Sequence, residues 1–224
     1  MLTVASFPCV QVLAAADCQR LVSEMDAVAD KMGWQDDGTG VKYQTSLPGH
    51  EGEFELFSTA ARAAVARALE EQAVPLARRL FSCEGLVIRG QSAALIRYGS
   101  AALSGSGSVV VGVDGRAAGE VEVSAAESQQ CGFERSAQPP RLEVHRDGAF
   151  GVTINILLSQ PSAFTKGGTY FEGRSASEGI VVRPSIGHAI MHHRAMRHAG
   201  FPIELGLRHV LVTRLTVVYT ARIL

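Results

Sequence analysis

"RHVLVTRLTVVY", residues 208–219, is the stretch on which the fold turns. It is rich in β-branched and apolar residues and carries no Gly or Pro, so it reads as a strong strand. Alternation puts Arg208 on one face with Val210 and Val212, and nominally Arg214 with them. An arginine on such a face is buried, and a buried guanidinium needs an anionic partner. Shorter runs of the same kind precede it: "LVIRG" (86–90), "SAALIRY" (92–98), "RLEVH" (141–145), "GVTINILL" (151–158), "EGIVV" (178–182) and "GHAIMH" (187–192). They are separated by Gly, Pro, Ser and Asn, with no helical pattern between them. Such an order predicts an antiparallel β-sandwich or jelly roll, with any N-terminal helices packed on one outer face.

Helices do come first. Cys18, Leu21, Val22, Met25, Val28, Ala29 and Met32 recur at three- and four-residue steps, so residues 15–33 predict a helix with one buried face, closed by Gly33. Residues 34–52 are polar and read as loop or irregular strand. The Ala-rich stretch from Glu53 to Ser82 predicts a helix interrupted at Pro75. Residues 99–140 break the strand rhythm. "GSAALSGSGS" is a flexible Gly/Ser segment, Asp114-Gly115 can turn a hairpin, and "SAAESQQCGFERSAQPP" returns to the sheet. The excursion is longer than a usual connection and reads as a lid or a surface insertion. The expected organisation is a single domain over 1–224, helical over about 1–82, with a β core over about 86–224 and the insertion within it.

Composition sets the function classes. The hydrophobic fraction is 46% and the charged fraction 19%, enough to bury a core and too apolar for disorder. The net charge is −1, from 21 basic and 22 acidic residues, which lacks the footprint of a nucleic-acid binder or a polybasic membrane anchor. No apolar run is long enough to span a bilayer. The apolar N-terminus has no leading Lys or Arg and reads as structure, not as a signal peptide. Cys9, Cys18, Cys83 and Cys131 form no CxxC pair and read as free thiols in a reducing compartment. The expected setting is cytoplasmic.

Four of the seven histidines, His188, His192, His193 and His198, lie in "GHAIMHHRAMRHAGFP" (187–202), too many for one metal site. "EVHRDG" supplies a second ingredient. His145 and Asp147 are two apart at the end of an alternating run, so one strand edge presents both. Two His and one carboxylate on one face, with open positions opposite, is how non-haem Fe(II) sites that use O₂ are built. HxD alone is common by chance, and a third ligand must come from the histidine-rich segment.

Taken together, "HRDGAFGVTINILL", "FTKGGTYFEG", "GHAIMHHRAMRHAGFP" and "GLRHVLVTRL" resemble the Fe(II)- and 2-oxoglutarate-dependent dioxygenases, in the prolyl and lysyl hydroxylase-like branch. Order and spacing match over 86–98 and 141–219, more loosely over 12–34, and the insertion has no counterpart. The resemblance implies an α+β, mostly β fold, a double-stranded β-helix (jelly roll) with N-terminal helices on one outer face. It makes His145, Asp147 and His198 the metal ligands and Arg208 the partner of the 2-oxoglutarate C5 carboxylate. Tyr98 stands where the family often has a tyrosine reaching the cosubstrate. Asn155, a polar residue in an apolar strand, is expected to face the pocket, while Thr169 and Phe171 shape its wall. Arg214 is a candidate for an anionic substrate group at the pocket mouth, unless strand twist turns it to solvent. His192 and His193 read as structural histidines at a strand end, and His188 as partly exposed.

The implied cofactor is Fe(II), with 2-oxoglutarate and O₂ as cosubstrates and succinate and CO₂ as coproducts of hydroxylating an unactivated C–H bond. Asp147 fills the position that halogenating relatives leave for halide, so hydroxylation is expected. The substrate is expected to be a prolyl or lysyl residue in a peptide or protein. The alternatives are a free amino acid or other small metabolite, and a silent jelly roll that binds metal or senses 2-oxoglutarate. Nucleic-acid demethylation is disfavoured by the neutral charge. The oligomeric state is not legible.

Overall fold

The computed structural model describes residues 9–32, 35–36, 42–46, 56–88, 94–99, 131–136, 144–148, 151–173 and 178–218. Strand β1 (Cys9–Gln11) precedes helix α1 (Ala15–Met32), followed by β2 (Gln35–Asp36) and β3 (Lys42–Ser46). Helix α2 (Thr59–Ala66) runs through a π-helical segment, Arg67–Ala73, into α3 (Val74–Leu80). The remainder is sheet: β4 (Leu86–Ile88), β5 (Ala94–Gly99), β6 (Cys131–Ser136), β7 (Val152–Leu157), β8 (Phe164–Lys166), β9 (Thr169–Glu172), β10 (Gly179–Pro184), β11 (His188–His193), β12 (His198–Gly200) and β13 (Ile203–Val217).

The strands form two sheets. The larger runs β1-β11-β7-β13-β5-β3-β2, with β4 and β8 also paired to β13; the smaller runs β12-β9-β10-β6. The larger sheet is antiparallel throughout its path. This mostly β, curled antiparallel arrangement is a jelly roll. The 15-residue strand β13 is its spine, pairing with β8, β7, β5 and β4 along its length.

Alternation along the central strands sorts side chains between two cores. Val152, Ile154 and Ile156 of β7 join Leu95, Leu211 and Leu215 in one apolar cluster with Cys18, Leu21, Met25 and Val28 of α1. Ala61, Ala64 and Leu69 of the second helical stretch share that cluster. The helices therefore cover one face of the larger sheet, and α1 has the predicted buried stripe. Leu21 and Met25 are fully buried, each burial contributing about 1.5–3 kcal/mol. Ser58 caps α2 by accepting from the Ala61 N–H at 3.1 Å, and its own hydroxyl and N–H donate to Glu24 of α1 at 2.7 Å. The opposite face of the sheet looks toward the smaller sheet, where Ile190 packs on Phe171 and Val182.

Two expectations need adjustment and one is met. The helix does not break at Pro75: the π-helical segment before it rearranges the backbone bonds, and Pro75 sits in the first turn of α3, where its missing N–H costs nothing. Most of the 99–140 insertion lies outside the described residues, but Cys131–Ser136 forms β6 and pairs in register with β10. The insertion's end thus returns to the sheet, as its sequence predicts, and joins the smaller one. Finally, Cys9 is disulfide-bonded, not a free thiol, while Cys18 and Cys83 are free. Spacing could not show this, because strand placement and not sequence distance brings sulfurs together. Among the described residues, no helix is long and apolar enough to cross a membrane.

Candidate active site

The residues predicted to bind metal converge. His145 and His198 are joined by an isolated antiparallel bridge: the His145 N–H donates to the His198 carbonyl at 2.9 Å and the His198 N–H returns a bond at 3.0 Å. Fifty-three residues of sequence separation are thus closed by two backbone bonds. Asp147, two residues beyond His145, completes the set. The ligand atoms of His145, Asp147 and His198 lie within 4.8 Å of one another. His198 Nε2 is 3.5 Å from Asp147 Oδ2, and His145 Nε2 is 3.9 Å from Asp147 Oδ1.

Surroundings prepare each ligand. The Nδ1 of His198 lies 3.1 Å from the Met196 carbonyl; with a proton on Nδ1, Nε2 keeps its lone pair for a metal. Burial holds the His198 imidazole below its usual pKa, against the pull of Asp147. Burial pushes the Asp147 carboxyl up, but the hydrogen bond from the Thr153 hydroxyl, together with the neighbouring His198, His192 and Arg214, outweighs it and holds the group below the ordinary carboxylate range. His198 is therefore held toward its neutral form and Asp147 toward its carboxylate, the forms in which each binds a metal. His145 is the open side of the site, with a side chain 46% exposed against 2% for Asp147.

A cavity of about 210 Å³ opens from this cluster between the two sheets. Strand β13 lines it with Arg208, Val210, Val212 and Arg214, strand β7 with Thr153 and Asn155, and strand β5 with Ile96 and Tyr98. Thr169 and Gly200 close it from the smaller sheet. Every predicted cosubstrate residue thus reaches one space. Phe171 does not line it and packs instead in the inter-sheet core.

Arg208 anchors the inner end. It is 3% exposed, pairs across the strands with Tyr98, and holds its guanidinium 5.2 Å from the Tyr98 ring centroid. Burial lowers its pKa, Tyr98 opposes this, and Arg183 adds to it. No carboxylate among the described residues pairs with it. Gly167 explains part of its placement: at φ +66°, a Cβ there would meet the Arg208 Cδ at 3.3 Å and the Phe164 ring at 3.1 Å. The Gly-Gly segment thus lets the turn press against the arginine stem.

Two residues were undervalued in the sequence. Thr153, which donates to Asp147, shares the face of Asn155 by simple alternation, and that signal was available. His192 is 1% exposed, with its ring 4.3 Å from that of His198 and edge-on to Phe171 at 5.1 Å. It is buried as a structural histidine should be, yet its Nε2 has no hydrogen-bond partner among the described residues. His193 is exposed and accepts from the Ala195 N–H at 3.2 Å. His188 is half-buried, as expected. Arg214 faces the cavity with a side chain 33% exposed, so twist does not turn it away.

The same architecture recurs among solved structures. A prolyl hydroxylase from Trichoplax adhaerens, in complex with a hypoxia inducible factor oxygen degradation domain peptide fragment, aligns with TM-score 0.56 at 10% identity, over 96% of this chain and 84% of that one. A Pseudomonas putida prolyl-4-hydroxylase aligns with TM-score 0.54 at 14% identity, over 96% of this chain and 94% of that one. A non-heme alpha ketoglutarate dependent epimerase from nogalamycin biosynthesis gives TM-score 0.54 at 13% identity, over 95% of this chain and 78% of that one. The fold is that of 2-oxoglutarate- and iron-dependent oxygenases. No family model matches the sequence, and no curated protein does. At such identities the likeness carries the fold, and the activity rests on the site.

Proposed function

We propose that this protein is an Fe(II)- and 2-oxoglutarate-dependent dioxygenase that hydroxylates an unactivated C–H bond, with succinate and CO₂ as coproducts. The observation that carries the reading is Arg208, a buried guanidinium facing a cavity with no carboxylate of the described chain to neutralise it. A dicarboxylate cosubstrate supplies that charge. The donor set fits the metal as well, since two imidazoles and one carboxylate suit non-haem Fe(II) and leave positions open.

His145, Asp147 and His198 hold the iron, which supplies O₂ activation and oxidation when bound. Thr153 keeps the Asp147 carboxylate ionised and oriented. Arg208 and Tyr98 fix the far carboxylate of 2-oxoglutarate, and the Asn155 side chain offers a further polar contact along its length. Ile96, Val210 and Val212 exclude water between these groups, which strengthens every charged contact within. Presence of Asp147 as ligand favours hydroxylation over halogenation.

The substrate we assign is a prolyl or lysyl residue of a peptide or protein, in line with the sequence resemblance. A free amino acid is the second reading, favoured by a cavity of about 210 Å³, below the roughly 300–1,000 Å³ usual for drug-sized ligands. A silent binding domain is disfavoured by the complete ligand set beside Arg208. A cytoplasmic setting rests on composition alone, and the Cys9 disulfide counts against it, because cytosolic thiols stay reduced.

The test is an anaerobic titration of metal-free protein with Fe(II) and 2-oxoglutarate, following the visible charge-transfer band, and then a succinate-release screen of prolyl and lysyl peptides and free amino acids. The band is expected in wild type and in His192→Ala, and lost in His198→Ala. A wild type without the band, or one that His192→Ala abolishes while His198→Ala leaves it, overturns the assignment.

A further inference from the structure

Arg208 stands where its strand changes partners. Strand β13 pairs with β8 up to Gly206 and with β7 from Val210 onward, so Leu207, Arg208 and His209 fall in sequence between these two ladders. Toward β5 all three are in register, with Arg208 opposite Tyr98 and His209 opposite Arg97. Past the end of β7, a side chain takes the place of the strand. The Ser159 hydroxyl accepts from the His209 N–H at 2.7 Å, and the same oxygen lies 3.1 Å from His209 Nδ1 and 3.4 Å from the Leu207 carbonyl. The Leu158 N–H donates to the His209 carbonyl at 2.9 Å. One serine, 5% exposed, thus reaches both residues that flank the arginine.

His209 carries this contact into the helix layer. It points away from Arg208 by alternation and is buried. With the Ser159 proton given to Nδ1, the nearer acceptor, the imidazole keeps its own on Nε2. That nitrogen is 3.4 Å from Asp26 Oδ1 of α1, and Arg97 Nη1 is 3.4 Å from the same oxygen. Two residues along each strand, Leu95 and Leu211 belong to the apolar cluster beneath the helices. Polar groups in that layer cost free energy to bury, and a buried ion pair is weak ground for stability. What such a cluster does fix is register. Sliding β13 by one residue would turn Arg208 under the helices and His209 into the cavity.

We propose that Ser159 is a positioning residue for Arg208. Its hydroxyl, backed by His209 and Asp26, holds this stretch of β13 where the guanidinium meets the far carboxylate of the cosubstrate. The inference rests on the dioxygenase reading above. Ser159 is not among the residues lining the cavity and acts through Arg208 alone.

The test measures binding in the whole chain, without turnover. Anaerobic titrations of the Fe(II)-loaded protein give a Kd for 2-oxoglutarate and one for pyruvate from the visible band, and their ratio reports the far carboxylate. Ser159→Ala should raise the 2-oxoglutarate Kd about five- to tenfold and leave that for pyruvate within about twofold. Ser159→Thr keeps the hydroxyl and should recover most of the loss. His209→Leu removes the imidazole but not the backbone N–H, so a smaller loss of the same kind is expected. Met25→Ala, a core truncation beneath α1, is the control: melting curves should show a lower Tm and the titrations an unchanged ratio. The proposal falls if Ser159→Ala keeps the ratio, if it weakens both acids equally, or if Met25→Ala moves the ratio as far. Should Ser159→Ala fail to fold, a lowered ratio in His209→Leu sustains the proposal and an unchanged one overturns it. A wild type with no 2-oxoglutarate band sinks the dioxygenase reading and this inference with it; a wild-type band with an unmoved ratio in the variants sinks this inference alone.

Discussion

Replacing Arg208 with methionine separates two roles that a buried charge can play. If Arg208 were a structural ion pair, its loss would destabilise the fold. The structure instead shows a 3% exposed guanidinium facing a cavity, with Tyr98 as its aromatic neighbour and burial lowering its pKa. Methionine fills a similar volume without the desolvation cost, so the ligand-free variant should melt at the wild-type temperature or above it. Binding should behave oppositely. Removing one partner of a buried, hydrogen-bonded charge pair costs roughly 3–5 kcal/mol. Taking the lower end, because the cavity opens to water, the Kd for 2-oxoglutarate should rise by roughly 100-fold or more at about 1.4 kcal/mol per decade. The assay is the anaerobic charge-transfer titration, run in parallel with pyruvate, a 2-oxo acid without the far carboxylate. Pyruvate should bind wild type and variant about equally. The reasoning is refuted by an equal loss for both acids, or by 2-oxoglutarate affinity within about threefold of wild type. It is also refuted if the ligand-free variant loses several degrees of Tm, about 2–4 °C for each kcal/mol in a chain of this size.

Other perturbations follow from the same geometry. Thr153→Val removes the hydroxyl that donates to Asp147 and should weaken Fe(II) or Co(II) binding about 10- to 100-fold, with recovery in Thr153→Ser; an unchanged metal Kd would mean the hydroxyl is incidental. Gly167→Ala forces an alanine to φ +66° and sets its Cβ 3.3 Å from the Arg208 Cδ, so the 2-oxoglutarate requirement should rise several-fold while metal affinity holds, as parallel titrations would reveal. In chelator-treated protein, burial and the neighbouring His198 lower His192 from 6.5 to about 3. The unfolded chain takes up that proton near its ordinary pKa and the folded one far below it, so this contribution is intact above the unfolded pKa and is lost as pH falls. Between pH 7 and 5 that amounts to about 2 kcal/mol, readable as a falling urea midpoint that His192→Phe should flatten.

The sequence disclosed the site unevenly, for reasons that lie in what each signal depends on. Arg208 was readable because period-two alternation is local: two apolar neighbours on a strand, Val210 and Val212, commit the arginine to their side. His145 and Asp147 were readable as an HxD pair, although residues 144–148 form no strand beyond the bridge from His145 to His198. His198 was not, from residues alone, because the two bonds that bring it to His145 depend on how β12 is hung between strands; only the resemblance singled it out among four histidines. Thr153 was passed over although Asn155 fixed its face, because a threonine in a strand needs no explanation until its acceptor is known. The disulfide at Cys9 and the docking of β6 on β10 are long-range facts with no local signature. Pro75 misled in the other direction: a local rule predicted a break that a π-helical turn absorbs.

The length of β13 has a further consequence. Arg208 and Arg214 ride one unbroken strand, gripped on one flank by β5 and on the other by β7, so six residues at about 3.4 Å each fix the two stems about 20 Å apart. That makes the strand a gauge for whatever fits between the guanidinium forks. Neither end can drift toward the other to suit a smaller guest. Losing or gaining a single residue within the interval would swing one arginine round to the helix-covered side, so the gauge can change its setting only by two residues at a time. A catalyst built this way retunes its reach by exchanging side chains and keeps its backbone.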